Sequence, residues 1–274
     1  MIRGALLQMA ALAVAVLPGA SPSIAKARLT EVRLVALSLT GDTLYVIDGA
    51  PADGLKVTHT VKLKTKTSDR IVAFDTKASD GGLYGVSANS NVYKINWKNG
   101  KVAKLFSLPI KLKGVISMDC LPEADSPCRL VSDKGLNARI DLDSHKLTMD
   151  PPLVLEGKDR TPRLIAVAYT YASTAAAPLQ EPQLVAIDAE TDALYEQVTP
   201  DGSDLRYGWQ LRRKVEAPYA FDIFSTEGGS NFGGVIYNGE FRQLGFQFAD
   251  LSKPRKIEGL KASVKDLAFI RASM

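Results

Sequence analysis

The tetrapeptide VAFD (Val72–Asp75) decides the fold, because variants of it recur along the chain. Each is a short run of β-branched, aromatic and small apolar residues of the kind that forms strands. The other members are ISMD (Ile116–Asp119), AVAY (Ala166–Tyr169), YAFD (Tyr219–Asp222) and LAFI (Leu267–Ile270). Alignment of Asp75, Asp119, Ala168, Asp222 and Ala268 gives spacings of 44, 49, 54 and 46 residues. A self-similar period of this length indicates a repeat architecture.

Each interval between these strands holds further strand-like runs separated by turn dipeptides. Examples are Asp80-Gly81, Asn99-Gly100 and Asn238-Gly239. Asn-Gly and Asp-Gly adopt positive φ at low cost and therefore close tight hairpins. About four strands fit into each interval, which predicts an all-β fold of four-stranded blades, a β-propeller.

Five blades are the preferred count, and both ends of the chain contribute to one of them. RLVALSLTGDTLYVIDG (Arg33–Gly49) has no opening strand of its own, and VKDLAFIRA (Val264–Ala272) is an opening strand with nothing after it. Pairing of these two segments would close the ring. Six blades are the alternative, if a long segment such as Thr170–Pro182 hides a further unit. The four continuous blades are predicted at Val72–Pro109, Gly114–Leu155, Leu164–Arg212 and Tyr219–Gly259.

The N-terminus has the features of a secretory signal peptide. Arg3 precedes an apolar run, GALLQMAALAVAVL (Gly4–Leu17), and Ala25 and Ala27 occupy the small-residue positions of a cleavage site. The run is shorter than the roughly 20 residues that span a bilayer. We therefore predict a signal peptide over residues 1–27 and one propeller domain over 28–274. The mature chain is expected in the periplasm or outside the cell, without a membrane span.

The charge balance indicates no strongly charged partner. Loss of Arg3 and Lys26 with the signal peptide lowers the formal net charge from +4 to +2. Lys62, Lys64 and Lys66 alternate with other residues, which is typical of the solvent face of a strand that discourages edge pairing. The clustered basic and aromatic surface of a nucleic-acid-binding protein is absent. We expect a monomer that does not bind nucleic acid.

Cys120 and Cys128 are the two cysteines of the chain. A zinc site needs about four ligands, and a thioredoxin-type pair needs C-x-x-C, so the spacing C-x7-C fits neither. If the segment between them is a hairpin loop, the two residues face each other at a distance that a disulfide can bridge, about 5.5–6 Å between Cα atoms. We predict a structural disulfide, for which free thiols and a metal or redox site are the alternatives.

Asp75, Asp119 and Asp222 occupy the same place in three of the repeats. If the opening strands are innermost, these carboxylates ring the mouth of the channel. The favoured interpretation is structural, with each aspartate accepting hydrogen bonds from backbone N–H groups. The alternatives are a ligand site, including Ca²⁺ held by oxygen ligands, and catalysis by paired carboxylates as in glycoside hydrolysis. We therefore assign no catalytic, metal or cofactor-binding residue, and the three aspartates remain the candidates.

Other segments resemble functional motifs only superficially. IDLDSH (Ile140–His145) and DAETD (Asp188–Asp192) lack the glycine and glutamate of a calcium-binding EF-hand loop and are predicted to be hairpin turns. EGGSNFGG (Glu227–Gly234) lacks the lysine of a phosphate-binding loop and is predicted to be a mobile loop.

Four phrases follow one another along the chain: LYGVSANSNVYKINWKNGKVAKL (Leu83–Leu105), RLVSDKGLNARIDLD (Arg129–Asp143), IAVAYT (Ile165–Thr170) and LVAIDAETDALYEQVTPDGSDL (Leu184–Leu205). In these phrases and their order the chain resembles a family of exported bacterial proteins known as domain of unknown function 4394. The resemblance covers most of Leu34–Ile270, implies a propeller-like fold and export, and supplies no catalytic residue. This chain departs from the family at Cys120 and Cys128.

Propellers present variable loops on one face, and loops commonly carry function. The function predicted first is therefore a non-enzymatic scaffold that binds a small molecule, a glycan or a protein at its loop face. The alternative is a hydrolase of glycosides or lactones that uses the carboxylates of the channel.

Overall fold

A computed structural model of the chain describes residues 32–49, 54–66, 68–122, 127–157, 160–170, 182–198, 203–225, 231–245 and 250–271. The predicted signal peptide lies outside these ranges. In the described ranges the regular elements are β-strands, joined by turns and irregular segments. No helix within them is long and apolar enough to cross a membrane.

The strands are numbered in chain order. They are β1 (Val32–Ser38), β2 (Thr43–Asp48), β3 (Leu55–Lys62), β4 (Ile71–Thr76), β5 (Leu83–Ser87), β6 (Asn91–Ile95), β7 (Val102–Ser107), β8 (Ile116–Cys120), β9 (Cys128–Ser132), β10 (Asn137–Asp141), β11 (Lys146–Met149), β12 (Val154–Leu155), β13 (Leu164–Tyr169), β14 (Leu184–Asp188), β15 (Ala193–Gln197), β16 (Asp204–Gln210), β17 (Ala220–Ser225), β18 (Asn231–Tyr237), β19 (Glu240–Gly245), β20 (Asp250–Leu251), β21 (Arg255–Glu258) and β22 (Val264–Arg271).

Most of these strands form antiparallel meanders of four. Sheet II is β4-β5-β6-β7, sheet III is β8-β9-β10-β11, and sheet IV is β13-β14-β15-β16 with β12 parallel to β16. Sheet V is β17-β18-β19, extended by the short strands β20 and β21. The predicted all-β class and the predicted strand-rich intervals are thus confirmed.

Sheet I joins the two ends of the described chain. Its order is β22-β1-β2-β3, and β1 pairs antiparallel with β22 from Val32 opposite Arg271 to Ser38 opposite Val264. The outer strand β3 also pairs in parallel with β21 of sheet V. The N- and C-terminal segments therefore pair with each other as the sequence predicts.

The first strand of each sheet is an inner strand, and these five strands contact one another. β22 contacts β4, β4 contacts β8, β8 contacts β13, β13 contacts β17, and β17 contacts β22. Their residues are almost entirely buried, whereas the fourth strands β7, β11 and β16 are largely exposed. The burial thus decreases from the first to the fourth strand of each sheet.

The hydrophobic core is divided into five clusters, each of which lies between two sheets. The pairs of sheets are I with II, II with III, III with IV, IV with V, and V with I. Strand β1 shows the cause in its sequence, because side chains alternate between the two faces of a strand. Leu34 and Ala36 pack towards sheet V, whereas Val35 and Leu37 pack towards sheet II. A run such as LVAL is therefore apolar at every position.

The prediction of a mobile loop over Glu227–Gly234 is wrong for its second half, because Asn231–Gly234 begins β18. The glycines are needed for close packing in a strand. A Cβ atom on Gly234 would lie 2.6 Å from Cζ of Phe269, and one on Gly233 would lie 2.9 Å from Cβ of Leu244. The remaining residues of that prediction lie outside the described part of the chain.

Candidate functional site

The three aspartates singled out in the sequence come together in the structure. Asp75, Asp119 and Asp222 lie on the inner strands β4, β8 and β17, and one carboxylate oxygen of each lies within 4.8 Å of the others. All three are buried, with exposed fractions of 5%, 2% and 4%. The opening strands are innermost, which is the condition under which the sequence places these carboxylates around the channel, but the carboxyl groups are enclosed by those strands rather than open to solvent.

Each carboxylate accepts a hydrogen bond from the main chain of the next inner strand. Asp75 Oδ2 accepts from the N–H of Cys120 (2.8 Å), and Asp119 Oδ1 accepts from the N–H of Tyr169 (3.0 Å). Asp222 Oδ2 accepts in the same way from the N–H of Phe269 (2.7 Å). The aspartates thus connect neighbouring sheets. A turn aspartate, by contrast, forms its hydrogen bond within one sheet.

The hydrogen bonds differ on the inner strands that follow the two aligned alanines. Ala168 and Ala268 offer no carboxylate to the next inner strand. On β17, which follows β13, Asp222 Oδ1 accepts instead from the N–H of the next residue, Ile223 (2.6 Å). On β4, which follows β22, Asp75 likewise accepts from the N–H of the next residue, Thr76. The carboxyl groups thus supply main-chain N–H groups with acceptors at the centre of the fold.

A fourth buried aspartate, Asp266 on β22, belongs to the same network and was missed in the sequence. Its Oδ2 accepts from the N–H of Phe74 (2.7 Å), and its Oδ1 accepts from the N–H of Leu267 (3.0 Å). Ser117 is its counterpart on β8 and accepts from the N–H of Val167 (3.0 Å). Both residues stand two positions before the aligned site, on the same face of the strand. A polar residue two positions before an aligned position is the sequence pattern from which they could have been predicted.

Asp75, Asp119, Asp222 and Asp266 form the inner-strand cluster, and all four have raised pKa values. Burial, together with the negative charge of Asp222, raises the pKa of Asp75 well above its usual value. Burial raises the pKa of Asp119 likewise, assisted by the charges of Asp75 and Asp222. Burial raises the pKa of Asp222 to about 7, and it also raises the pKa of Asp266 well above the usual value. The cluster therefore favours neutral carboxylic acids.

Two other buried carboxylates, those of Asp42 and Asp188, have cationic partners. Asp188, for example, accepts from Nη2 of Arg160 (2.6 Å) and from the N–H of Arg163 (2.7 Å). The oxygens of the inner-strand cluster accept from main-chain N–H groups instead. The structural role expected for these aspartates stays a prediction. Three converging carboxylate oxygens could contribute ligands to a cation, but Ca²⁺ takes about six to eight oxygen ligands, so they alone assign no metal.

Cys120 and Cys128 form a disulfide. They are direct partners at the end of the β8–β9 ladder, so the segment between them joins the two strands of a hairpin, as the sequence predicts. Their Cα atoms are 3.7 Å apart, which is closer than the predicted separation. Cys120 also donates its N–H to Asp75, so the disulfide lies beside the cluster.

Twisted antiparallel sheets whose inner strands pack against one another define an all-β, propeller-like protein. The chain belongs to the family described as Domain of unknown function (DUF4394), whose model matches residues 51–253. The resemblance seen in the sequence is thereby confirmed. No curated protein matches the chain.

Solved structures resemble this chain at low identity. A structural genomics protein of unknown function from Bacteroides thetaiotaomicron VPI-5482 is 13% identical, with 86% of this chain and 70% of that chain covered and a TM-score of 0.51. A protein of unknown function from Bacteroides caccae (9% identity, 82% and 73% covered) has a TM-score of 0.43. A chain of a nidogen/laminin complex (9% identity, 87% and 98% covered) has a TM-score of 0.46. These likenesses concern the fold alone.

Proposed function

We propose that this protein is an exported, five-bladed β-propeller with a closed ring that serves as a non-enzymatic binding scaffold. Five hydrophobic clusters, one for each pair of neighbouring sheets, support the count of five. The cycle of contacts among the inner strands and the pairing of β1 with β22 support closure. A six-bladed ring would need a further inner strand between two of these contacting pairs.

Export is supported by the sequence of residues 1–27 and by the disulfide, since disulfides persist in oxidising compartments. Fractionation of cells that express the full chain tests this proposal. The processed protein is expected outside the cytoplasm, with an N-terminus near Arg28. A peptide mass measured without reductant should show Cys120 joined to Cys128. A cytoplasmic protein with two free thiols would contradict both parts.

One observation carries the proposal of a non-enzymatic role: the three candidate carboxylates are buried and accept hydrogen bonds from the inner strands. A catalytic carboxyl group must lie within hydrogen-bond reach of its substrate. Groups enclosed among the inner strands meet this requirement only if those strands separate. We therefore assign ligand binding to the loops at the ends of the sheets, for a small molecule, a glycan or a protein.

The test combines turnover and binding. Purified full chain is screened for turnover against panels of glycosides, esters and lactones, and for binding of the same compounds by thermal shift. We expect no turnover above buffer, and a saturable rise in Tm for any true ligand. A monomeric mass by light scattering is expected with and without ligand.

The hydrolase alternative is favoured by the convergence of three carboxylate oxygens within 4.8 Å. It predicts turnover that Asp119→Asn abolishes while the fold remains intact by circular dichroism. Asp188→Asn is the matched control, because Asp188 is equally buried but pairs with Arg160 at the end of β14. Activity that survives in the control and disappears in Asp119→Asn would replace the scaffold proposal.

A further inference from the structure

The inner-strand cluster concentrates acidic groups from four inner strands. β4, β8, β17 and β22 each contribute one aspartate, and every one of them is at most 5% exposed. The fifth inner strand, β13, contributes Ala168 and the main-chain N–H of Tyr169. This cluster takes no part in the proposed binding function.

The groups that face the cluster include two cations and one phenol. Lys265 on β22 acts by its charge on Asp266 and is also attracted by Asp42. Arg129 on β9 lies opposite Asp119 in the ladder, and its guanidinium donates to the hydroxyl of Tyr169 and to Asp150. Burial outweighs these charges, because the pKa values of Asp119 and Asp266 remain well above the usual value.

Three carboxylates within 4.8 Å of one another in a buried environment repel strongly, and each has lost its hydration. Buried carboxyl groups in this position become neutral by binding protons. The side chains of Asp119 and Asp222 are also hydrogen-bond partners, and a bond between two carboxyl groups requires a proton on one of them. The same carboxyl groups connect the inner strands of neighbouring sheets.

We propose that the inner-strand cluster is a proton-dependent lock, which holds the inner strands together when its carboxyl groups are protonated and weakens the fold when they ionise. Acidic surroundings stabilise the protein, and rising pH loosens the contacts among β4, β8, β13, β17 and β22. The device is independent of whether the loops bind a ligand.

The sign follows from the raised pKa values. Because the folded pKa lies above the unfolded value, the folded protein holds more protons between the two, and stability falls as pH rises through that window. For Asp222 the window extends from 3.8 to about 7. For each proton that the folded protein retains, the folding equilibrium constant falls about tenfold with every unit by which the pH rises within this window.

The experiment is a series of chemical denaturations of the purified full chain from pH 4.5 to pH 8, at constant ionic strength and with EDTA present. We expect the folding equilibrium constant to fall about 100-fold between pH 5 and pH 7 for each retained proton. Asp119→Asn with Asp222→Asn should reduce the slope of this dependence, because the amides keep an acceptor but do not ionise, whereas Asp75 and Asp266 still do. Asp188→Asn, the matched control, should keep the wild-type slope.

Two further measurements test histidine titration and cation binding as causes of the same pH dependence. The double substitution His59→Gln with His145→Gln removes both histidines of the chain and should leave the slope unchanged. Repetition of the series with CaCl₂ and with MgCl₂ tests a cation in place of the protons. A saturable restoration of stability at pH 8 by either ion would overturn the proton lock.

A direct titration covers the case in which the asparagine variants do not fold. The aspartate carboxyl carbons of the wild-type chain are followed by NMR over the same pH range. We expect at least one buried aspartate to remain protonated near pH 6. Ordinary titration of all aspartates near pH 4, or a stability that does not change between pH 5 and pH 8, would refute the proposal.

Discussion

The inner-strand cluster and the aspartates at the sheet ends are similarly buried, yet their pKa values move in opposite directions. Burial alone would raise the pKa of Asp188, but hydrogen bonds from Arg160, Thr191 and the N–H of Arg163 outweigh it and lower that pKa. The hydrogen bond from Lys62 outweighs burial in the same way and holds the pKa of Asp42 well below its usual range. Hydrogen bonds from cations and from uncharged donors therefore lower these pKa values despite burial, so burial by itself does not decide the charge state.

The comparison also separates two structural tasks. The carboxylates with cation partners connect residues near the ends of strands, as Asp42 does with Arg70 of the next sheet. The inner-strand cluster connects main-chain groups at the centre of the fold. The carboxylates with cation partners make their connections in the ionised form at neutral pH, whereas the inner-strand cluster makes its connections in the protonated form.

The largest effect is expected from Asp222→Ala, which removes the acceptor of both Phe269 and Ile223. Two buried N–H groups then lose their partner, at a cost of roughly 3 kcal/mol in the free energy of unfolding. Urea denaturation at pH 5, where the carboxyl group is protonated, measures this loss. A loss below about 1 kcal/mol would show that the connection between sheets contributes little.

Asp188→Ala should destabilise by about 2 kcal/mol, because Arg160 and the N–H of Arg163 lose a buried acceptor. The cost is smaller than for Asp222→Ala since Arg160 is partly exposed and retains Glu190. The same denaturation at pH 7 tests the order of the two effects. A reversed order would remove the distinction between central and peripheral carboxylates.

The acid side of the stability profile should distinguish the two groups by sign. The depressed pKa of Asp188 means that its contribution is present above about pH 4 and is lost as pH falls through the folded pKa. Asp188→Asn should therefore reduce the loss of stability below pH 4. Asp222→Asn should leave this acid limb unchanged, and Tm values between pH 2 and pH 5 provide the check.

Asp42→Asn should cost about 1 kcal/mol at pH 7, because Lys62 is largely exposed and water replaces part of the interaction. The effect should decrease when NaCl is added, as is expected for a partly exposed ion pair. Thermal denaturation at two salt concentrations measures both quantities. A loss that does not respond to salt would indicate that the hydrogen bonds from Thr40 and Thr43 dominate instead.

The smallest effect is expected from Lys56→Gln, which breaks the pair with Glu258 on the parallel β3–β21 contact. Both side chains are mostly exposed, and such pairs contribute little. We expect no measurable change in Tm. A clear loss would mean that this junction between sheets I and V depends on charge.

The strands and their order in the sheets could be predicted because the pattern is local. The repeated tetrapeptides become the inner strands β4, β8, β13, β17 and β22, and the turn dipeptides become hairpins. The disulfide was predictable for the same reason, since Cys120 and Cys128 are separated by one hairpin loop. The strand at Asn231–Gly234 could not be predicted, because a glycine that allows Phe269 to pack closely cannot be distinguished in a sequence from a glycine of a loop.

The sequence by itself determined which residues form strands, since strand formation depends on periodicity and turn chemistry within a few residues. It also marked Asp75, Asp119 and Asp222 as equivalent positions. Only the tertiary structure decided that these carboxyl groups converge, that Asp266 joins their network, and that they bond to N–H groups of neighbouring sheets. Those properties depend on contacts between residues more than 40 positions apart, such as Asp222 with Phe269, and no local pattern encodes them.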